Sequence, residues 1–284
     1  ERVMSRKYGI VALAALALLA ITWNSASAQV RINEVDSDTP GTPVRPVNDD
    51  LEFIELYDGG VGNTPLDGLV VVLFNGSDDA SYTPAFDLDT KSTDANGYFV
   101  IGTAAIIGSE TANSMLISAN TVQNGPDAVA LIMGNASQFP NDTPVASLPM
   151  GTTLLDAVVY GTEDIFTGTT IDEVLLNPGE PPVDEGPTNN TNSIGRCPNG
   201  AGGLRNTFNY RLLTTPSPAA PNNCPVDPLG ACCLAMGHCQ IETSDDCTTL
   251  GGNYQGDSTA CNPNPCTQNP GACCDAMGNC SFIT

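Results

Sequence analysis

Between residues 29 and 196 the sequence contains no cysteine. It is also poor in positive charge, with 9 Lys and Arg against 32 Asp and Glu, and it holds one histidine and one tryptophan. Long segments of helical period are missing as well. Each shortage excludes something. Nucleic acid binding requires Lys and Arg to displace counterions from phosphates, and so few scattered bases make no basic groove. An anionic membrane surface is disfavoured on the same ground. The only histidine, His238, lies in a repeated segment whose second copy has Asn279 in its place. A repeated metal or catalytic site would need it twice, so neither a Ser-His-Asp nor a Cys-His nucleophile is expected. Sugar-binding platforms rely on aromatic faces, and the sole tryptophan, Trp23, falls in an N-terminal segment expected to be removed.

In that segment Arg6 and Lys7 supply a positive start, Gly9 to Thr22 form an uncharged apolar run, and Asn24 and Ser25 lead to the small residues Ala26-Ser27-Ala28. The run is shorter than the roughly 20 apolar residues of a membrane-spanning helix, and its flanks are those of a signal peptide. Residues 1–28 are therefore expected to be a signal peptide cleaved before Gln29, with Met4 as initiator and Glu1 to Val3 as upstream sequence. An uncleaved membrane anchor is the alternative. Cleavage leaves 31 acids against 6 bases, a net charge of −25. No later stretch approaches spanning length, so no membrane span is expected after cleavage. The expected location is secreted or cell-surface.

From residue 29 to about 223, short apolar runs alternate with Gly, Pro, Asn and Asp clusters, which is an all-β pattern. Strands are expected at Val30–Val35, Glu52–Tyr57, Leu69–Phe74, Ala85–Leu88, Tyr98–Ile101, Ala128–Met133 and Leu155–Tyr160. Leu69 to Phe74 is apolar on both faces and should be central. About seven strands in this length fit two packed antiparallel sheets of immunoglobulin-like type. The polar segment from about 163 to 192 reads as a loop excursion outside the core.

From Cys224 the chemistry changes. GACCLAMGHCQIET at 230–243 recurs as GACCDAMGNCSFIT at 271–284, a period of 41 residues with 9 of 14 positions identical. This marks a repeated small module. The first copy, within residues 224–270, holds Cys232, Cys233, Cys239, Cys247, Cys261 and Cys266; the second, 271–284, holds Cys273, Cys274 and Cys280 and is expected to be truncated. Few large apolar residues accompany them, so small disulfide-rich repeats are expected to follow the sandwich. Adjacent cysteines, wide later spacings and export favour disulfides over zinc. Sequence does not choose among the pairings that six cysteines allow. Cys197 and Cys224 flank the last segment of the sandwich and are expected to pair.

The order of motifs over residues 29–223 resembles the lamin-tail domain of secreted bacterial proteins. The resemblance is carried by Ile32-Asn33-Glu34-Val35, Glu52-Phe53-Ile54-Glu55-Leu56-Tyr57, Leu66-Asp67-Gly68 and Gly97-Tyr98-Phe99-Val100-Ile101-Gly102. It continues through Asn124 to Leu131, Leu155 to Gly161, Ser193-Ile194-Gly195-Arg196 and the exit Thr215-Pro216-Ser217-Pro218-Ala219-Ala220-Pro221-Asn222. The family's exit commonly reads Thr-Pro-Gly, and Ser217 replaces that glycine. What the resemblance implies is an immunoglobulin-like β-sandwich without catalytic residues, used for binding or scaffolding. The cysteine repeats look like those appended to secreted proteins of planctomycete-like bacteria.

Acidic side chains are abundant, and for that reason no glycosidase-like pair stands out. Two clusters are candidates for Ca²⁺: Asp36 and Asp38 with Asp49 and Asp50, which flank an insertion between the first two strands, and Asp87, Asp89, Asp94 and Asn96. Asp94-Ala95-Asn96-Gly97 reads more simply as a turn before a strand. The expected function is a secreted, non-catalytic adhesion, binding or scaffolding module with a protein or cell-surface partner and no cofactor other than a candidate calcium ion. The alternatives are the accessory part of a larger extracellular hydrolase with its catalytic domain beyond residue 284, and a calcium-dependent binding module.

Overall fold

A computed structural model describes residues 29–39, 49–162, 170–186, 191–225, 227–234, 237–266, 271–274 and 280–283. The expected signal peptide, residues 1–28, lies outside them. The strands of the larger domain, in chain order, are β1 (Arg31–Asp36), β2 (Phe53–Tyr57), β3 (Leu69–Asn75), β4 (Ala80–Ser81), β5 (Phe86–Asp87), β6 (Tyr98–Gly102), β7 (Ser114–Leu116), β8 (Asp127–Met133), β9 (Thr153–Gly161), β10 (Val183–Asp184), β11 (Ser193–Arg196) and β12 (Tyr210–Leu213), with the one-turn helix α1 (Ala104–Ile107) between β6 and β7. One sheet runs β12-β11-β1-β2-β6-β7. The other runs β10-β9-β8-β3-β4, with β5 beside β3. The two form the expected immunoglobulin-like sandwich.

Strand alternation explains the core. Val71 and Leu73 of β3, Val129 and Leu131 of β8, and Val158 and Tyr160 of β9 point between the sheets, where they meet Ile32, Ile54, Leu56, Phe99 and Ile101 of the facing sheet. The intervening residues Val70, Val72, Phe74, Ala128, Ala130, Ile132, Ala157 and Val159 face the other way and form a second buried cluster. β3 is thus apolar on both faces because both are covered. The cover includes α2 (Thr170–Leu175), which buries Ile171 and Leu175 against that outer face, together with Leu176. This corrects the reading of 163–192 as an excursion too polar for the core: two apolar side chains of one short helix and a third just after it were diluted by the Pro, Glu and Asp around them. The two edge pairings β6 with β7 and β9 with β10 are parallel, so the sheets are not wholly antiparallel.

The sheets are also joined by a buried ion pair. Arg196 of β11 donates from Nη2 to both carboxylate oxygens of Asp156 on β9, at 3.1 and 3.0 Å, and both side chains are fully buried. Its Nε donates to the Ile32 carbonyl at 2.7 Å, its Nη1 to the carbonyls of Ala201 and Gly203, and its guanidinium stacks on the Tyr210 ring at 4.9 Å. Asp156 in turn accepts from the backbone N–H groups of Ile32 and Arg205.

The exit segment folds back over the outside of the first sheet, stapled by the expected disulfide Cys197–Cys224. Ser217 is held in place by its own hydrogen bonds. Its N–H and hydroxyl both donate to Glu34, at 2.9 and 2.8 Å, and the left-handed residue of the turn is Ala219 instead. Gly195 is required by closeness: a Cβ there would stand 2.5 Å from Leu213 Cδ1 and 2.6 Å from Asn222 Nδ2.

The cysteine module has a three-stranded sheet in the order β14-β13-β15, from β13 (Gly230–Cys233), β14 (Cys239–Glu242) and β15 (Asn253–Asp257), with α3 (Ser244–Thr249) between the last two. Cys232 bonds Cys247 of α3, Cys233 bonds Cys266 and Cys239 bonds Cys261. Neighbouring residues of a strand point to opposite faces, so Cys232 and Cys233 cannot share a partner element. Buried Ala231, Cys232, Cys247 and Cys266 show that sulfur takes the place of large apolar side chains. A second hairpin, β16 (Gly271–Cys274) with β17 (Cys280–Ile283), repeats the pairing of β13 with β14: Cys233 faces Cys239 and Cys274 faces Cys280. The side chains of Cys273, Cys274 and Cys280 lie outside the described set.

Replacing Arg196 by Leu leaves Asp156 buried and unpaired, and chemical denaturation should show a loss of about 3–5 kcal/mol; a loss under about 1 kcal/mol would show that the pair does not hold the sheets together. Thiol titration of the oxidised chain should find no more than three free cysteines, rising to eleven on unfolding with reductant, since eight are bridged.

Candidate functional site

A row of carboxylates, mostly buried, runs along β1 and beyond its end. On the outer face of the first sheet Glu34 stands directly opposite Glu55, and Asp36 comes two residues further along the same strand. All three side chains are buried. Past the end of β1, Ser37 gives its N–H to Glu185 at 2.8 Å and its hydroxyl to the same carboxylate. Asp38 accepts from Asn124 Nδ2 at 2.9 Å, and Thr39 gives its N–H to Asp49 at 3.2 Å. Glu52, entering β2, accepts on Oε2 from the N–H groups of Thr121 and Val122 at 2.9 and 3.1 Å.

The chemistry of the row is set by burial without compensating charge. None of the described hydrogen-bond partners of Glu34, Glu52 or Glu55 is a lysine or arginine. Glu34 takes Ser193 and Ser217, while Glu55 takes Asn33 Nδ2 and the Ala219 N–H. Burial pushes the Glu52 carboxyl up to about 8 against the pull of its two backbone donors. Glu34 and Glu55 are also raised, first by burial. Asp36 is raised by burial and then by the negative charge of Glu185, Glu34, Glu52 and Asp38, and Glu185 is raised with it. Asp49 is raised by burial and by Asp38. Two oxygens in the row have no hydrogen-bond partner among the described residues: Asp36 Oδ1 and Glu52 Oε1.

Of the sequence candidates, Asp36, Asp38 and Asp49 come together here, and Asp50 adjoins them from the half-buried turn before β2. Glu34, Glu52, Glu55 and Glu185 were missed. Three of them lie in or beside strands, where Glu-Phe-Ile-Glu-Leu-Tyr looks like ordinary alternation, and Glu185 comes from the segment read as an excursion. The second acidic cluster is taken up by local turns. Asp94 accepts from the N–H groups of Asn96 and Tyr98, Asp89 from Gly68, and Asp87 from Asp89. His238 has an exposed side chain at the β13–β14 turn. The six cysteines of the first repeat are all bridged, so none is a thiolate ligand for zinc. Among the described residues no helix is long and apolar enough to cross a membrane. Neither the known protein-family models nor the curated proteins contain a match to this chain.

The raised carboxyls fix the sign of the pH dependence. Each holds its proton more tightly folded than unfolded, so its stabilising contribution is complete below the unfolded value and is lost as pH rises through the folded one. For Glu52 that window runs from 4.5 to about 8, and for Asp127, which burial also raises, from 3.8 to about 6. In chelator the melting temperature should therefore fall steadily from about pH 5 to about pH 9, and Glu52→Gln should recover several degrees at the alkaline end, at about 2–4 °C per kcal/mol. A flat profile would show that the row is not buried as described.

Proposed function

We propose that the chain is an exported, non-catalytic scaffolding or binding module of lamin-tail type, in which the sandwich presents a surface and the cysteine repeats act as a spacer behind it. The observation that carries this reading is the shared register of the hairpins β13–β14 and β16–β17, 41 residues apart. An array of small units with the same internal pairing adds length in equal steps, which suits a spacer. Disulfides in place of a hydrophobic core support an oxidising destination. The placement of the lamin-tail-like segments supports the resemblance: Ile32–Val35 in β1, Phe53–Tyr57 in β2, Tyr98–Gly102 in β6, Ala128–Leu131 in β8, Leu155–Gly161 in β9 and Ser193–Arg196 in β11. The buried polar side chains of the sandwich are engaged in holding segments together, as Glu34 holds Ser217 and Asp156 holds Arg196.

Expressed from Met4 in a bacterial host, the chain should be recovered outside the cytoplasm with Gln29 as its first residue, read by N-terminal sequencing. The purified chain should turn over no glycoside, ester or peptide substrate while binding the surface of the cells that produce it. Cytoplasmic retention at uncut mass would reject export, and turnover would reject the non-catalytic reading.

A further inference from the structure

We propose that the Lys91–Glu110 ion pair is a cover over an open sheet edge, and that removing it lets β7 pair with β7 of a second copy of this chain. β7 ends the first sheet. It joins β6 in parallel: the Val100 N–H donates to the Asn113 carbonyl at 3.4 Å, and the Ile117 N–H to the Gly102 carbonyl at 3.0 Å. That ladder uses the backbone groups of Met115, so Ser114 and Leu116 turn theirs away from the sheet. An edge of this kind is a template for another strand.

Side chains stand on that edge in place of a strand. Glu110 Oε2 accepts from the Leu116 N–H at 3.2 Å, where an incoming carbonyl would accept. Lys91 Nζ donates to the carbonyls of Ser114 at 3.3 Å and Thr111 at 2.9 Å, where an incoming N–H would donate. The two charges meet at 2.8 Å. Lys91 is set in place by its own backbone, its N–H donating to Leu88 and its carbonyl accepting from Leu66. It is the only lysine after Lys7. At the opposite edge of the same sheet, Arg211 Nη1 donates to the Tyr210 carbonyl of β12 at 2.9 Å. Two of the six bases beyond residue 28 therefore stand on the two edges of one sheet. The occupant such a cover excludes is an extended strand, and a second copy supplies one that fits. A two-fold axis through Met115 would set each Ser114 opposite Leu116 of the other copy, with the outward groups of both paired. Leu116, 45% exposed, and the adjoining cleft lined by Phe86, Met115 and Ile117 give the pair apolar surface to bury. This goes beyond the scaffolding reading and does not depend on it.

The test uses the full oxidised chain with free thiols alkylated, in about 0.15 M NaCl so that repulsion between two acidic chains is screened. Light scattering after size exclusion should find the parent monomeric. Lys91→Met combined with Glu110→Ala should dimerise, with self-association strengthened about 10-fold or more. Circular dichroism checks that the double variant is folded. Adding Leu116→Pro should restore the monomer, because proline deletes the outward N–H and leaves the ladder to β6 intact. The single variant Glu110→Ala changes a side chain 48% exposed and stands in if the double variant does not fold. It should exchange the Leu116 amide faster than the parent and shift towards dimer. Equal self-association of the parent and both cover variants would overturn the proposal, as would a dimer that survives Leu116→Pro.

Discussion

The contact between Arg196 and Asp156 is the constraint on which the larger domain depends. A guanidinium withdrawn from water must find every one of its donors a partner, and the partners it finds come from separated places in the chain: a carboxylate on β9, the Ile32 carbonyl on β1, and the carbonyls of Ala201 and Gly203 in the connection to β12. Asp156 closes the circuit by accepting from Ile32 and Arg205. The two sheets therefore meet at one polar cluster as well as across the apolar core. The neighbouring polar contacts extend the same logic outward. Asn33 reaches Glu55, Asn199 and Asn222, and Glu34 reaches Ser193 and Ser217, so that the exit segment is seated on the outer face by hydrogen bonds as well as by the Cys197–Cys224 bridge.

Much of this was legible in the sequence wherever apolar alternation was strong. All seven expected strands are present, and β3 is central because its run of branched side chains has a use on both faces. What escaped were elements specified by their neighbours. β4, β7 and β10 are two or three residues long, exist only as ladders against longer strands and carry no period of their own; β5 is as short but falls within the expected Ala85–Leu88. β11 and β12 were hidden for another reason: Ser193-Ile194-Gly195-Arg196 has one apolar side chain in four, and its burial rests on Arg196 being neutralised by a residue 40 positions away. The same blindness covers the carboxylate row. A buried acid looks like a solvated one in sequence, and only the covering segments distinguish them.

The disulfide connectivity was open for a related reason. Adjacency of Cys232 and Cys233 tells that they diverge, but which element waits on each side depends on α3 and on the path to Cys266. Gly252 shows how tightly that path is drawn, since a Cβ there would stand 2.4 Å from Cys232 Sγ. A module whose interior is sulfur tolerates variation in its exposed positions, and the two copies differ at such places, His238 against Asn279 among them, while every shared cysteine is kept.

The outermost bridge of the first repeat has a mechanical meaning. Cys233 and Cys266 are 33 residues apart in sequence and 5.1 Å apart between Cα atoms. Unbridged, a chain of that length would extend to about 110 Å when pulled taut. With the bridge closed, force entering at one cysteine leaves at the other and bypasses everything between them, including α3 and β15. Tension on an oxidised repeat thus reaches covalent bonds before it reaches hydrogen bonds, and its contour length is set by redox state more than by folding stability.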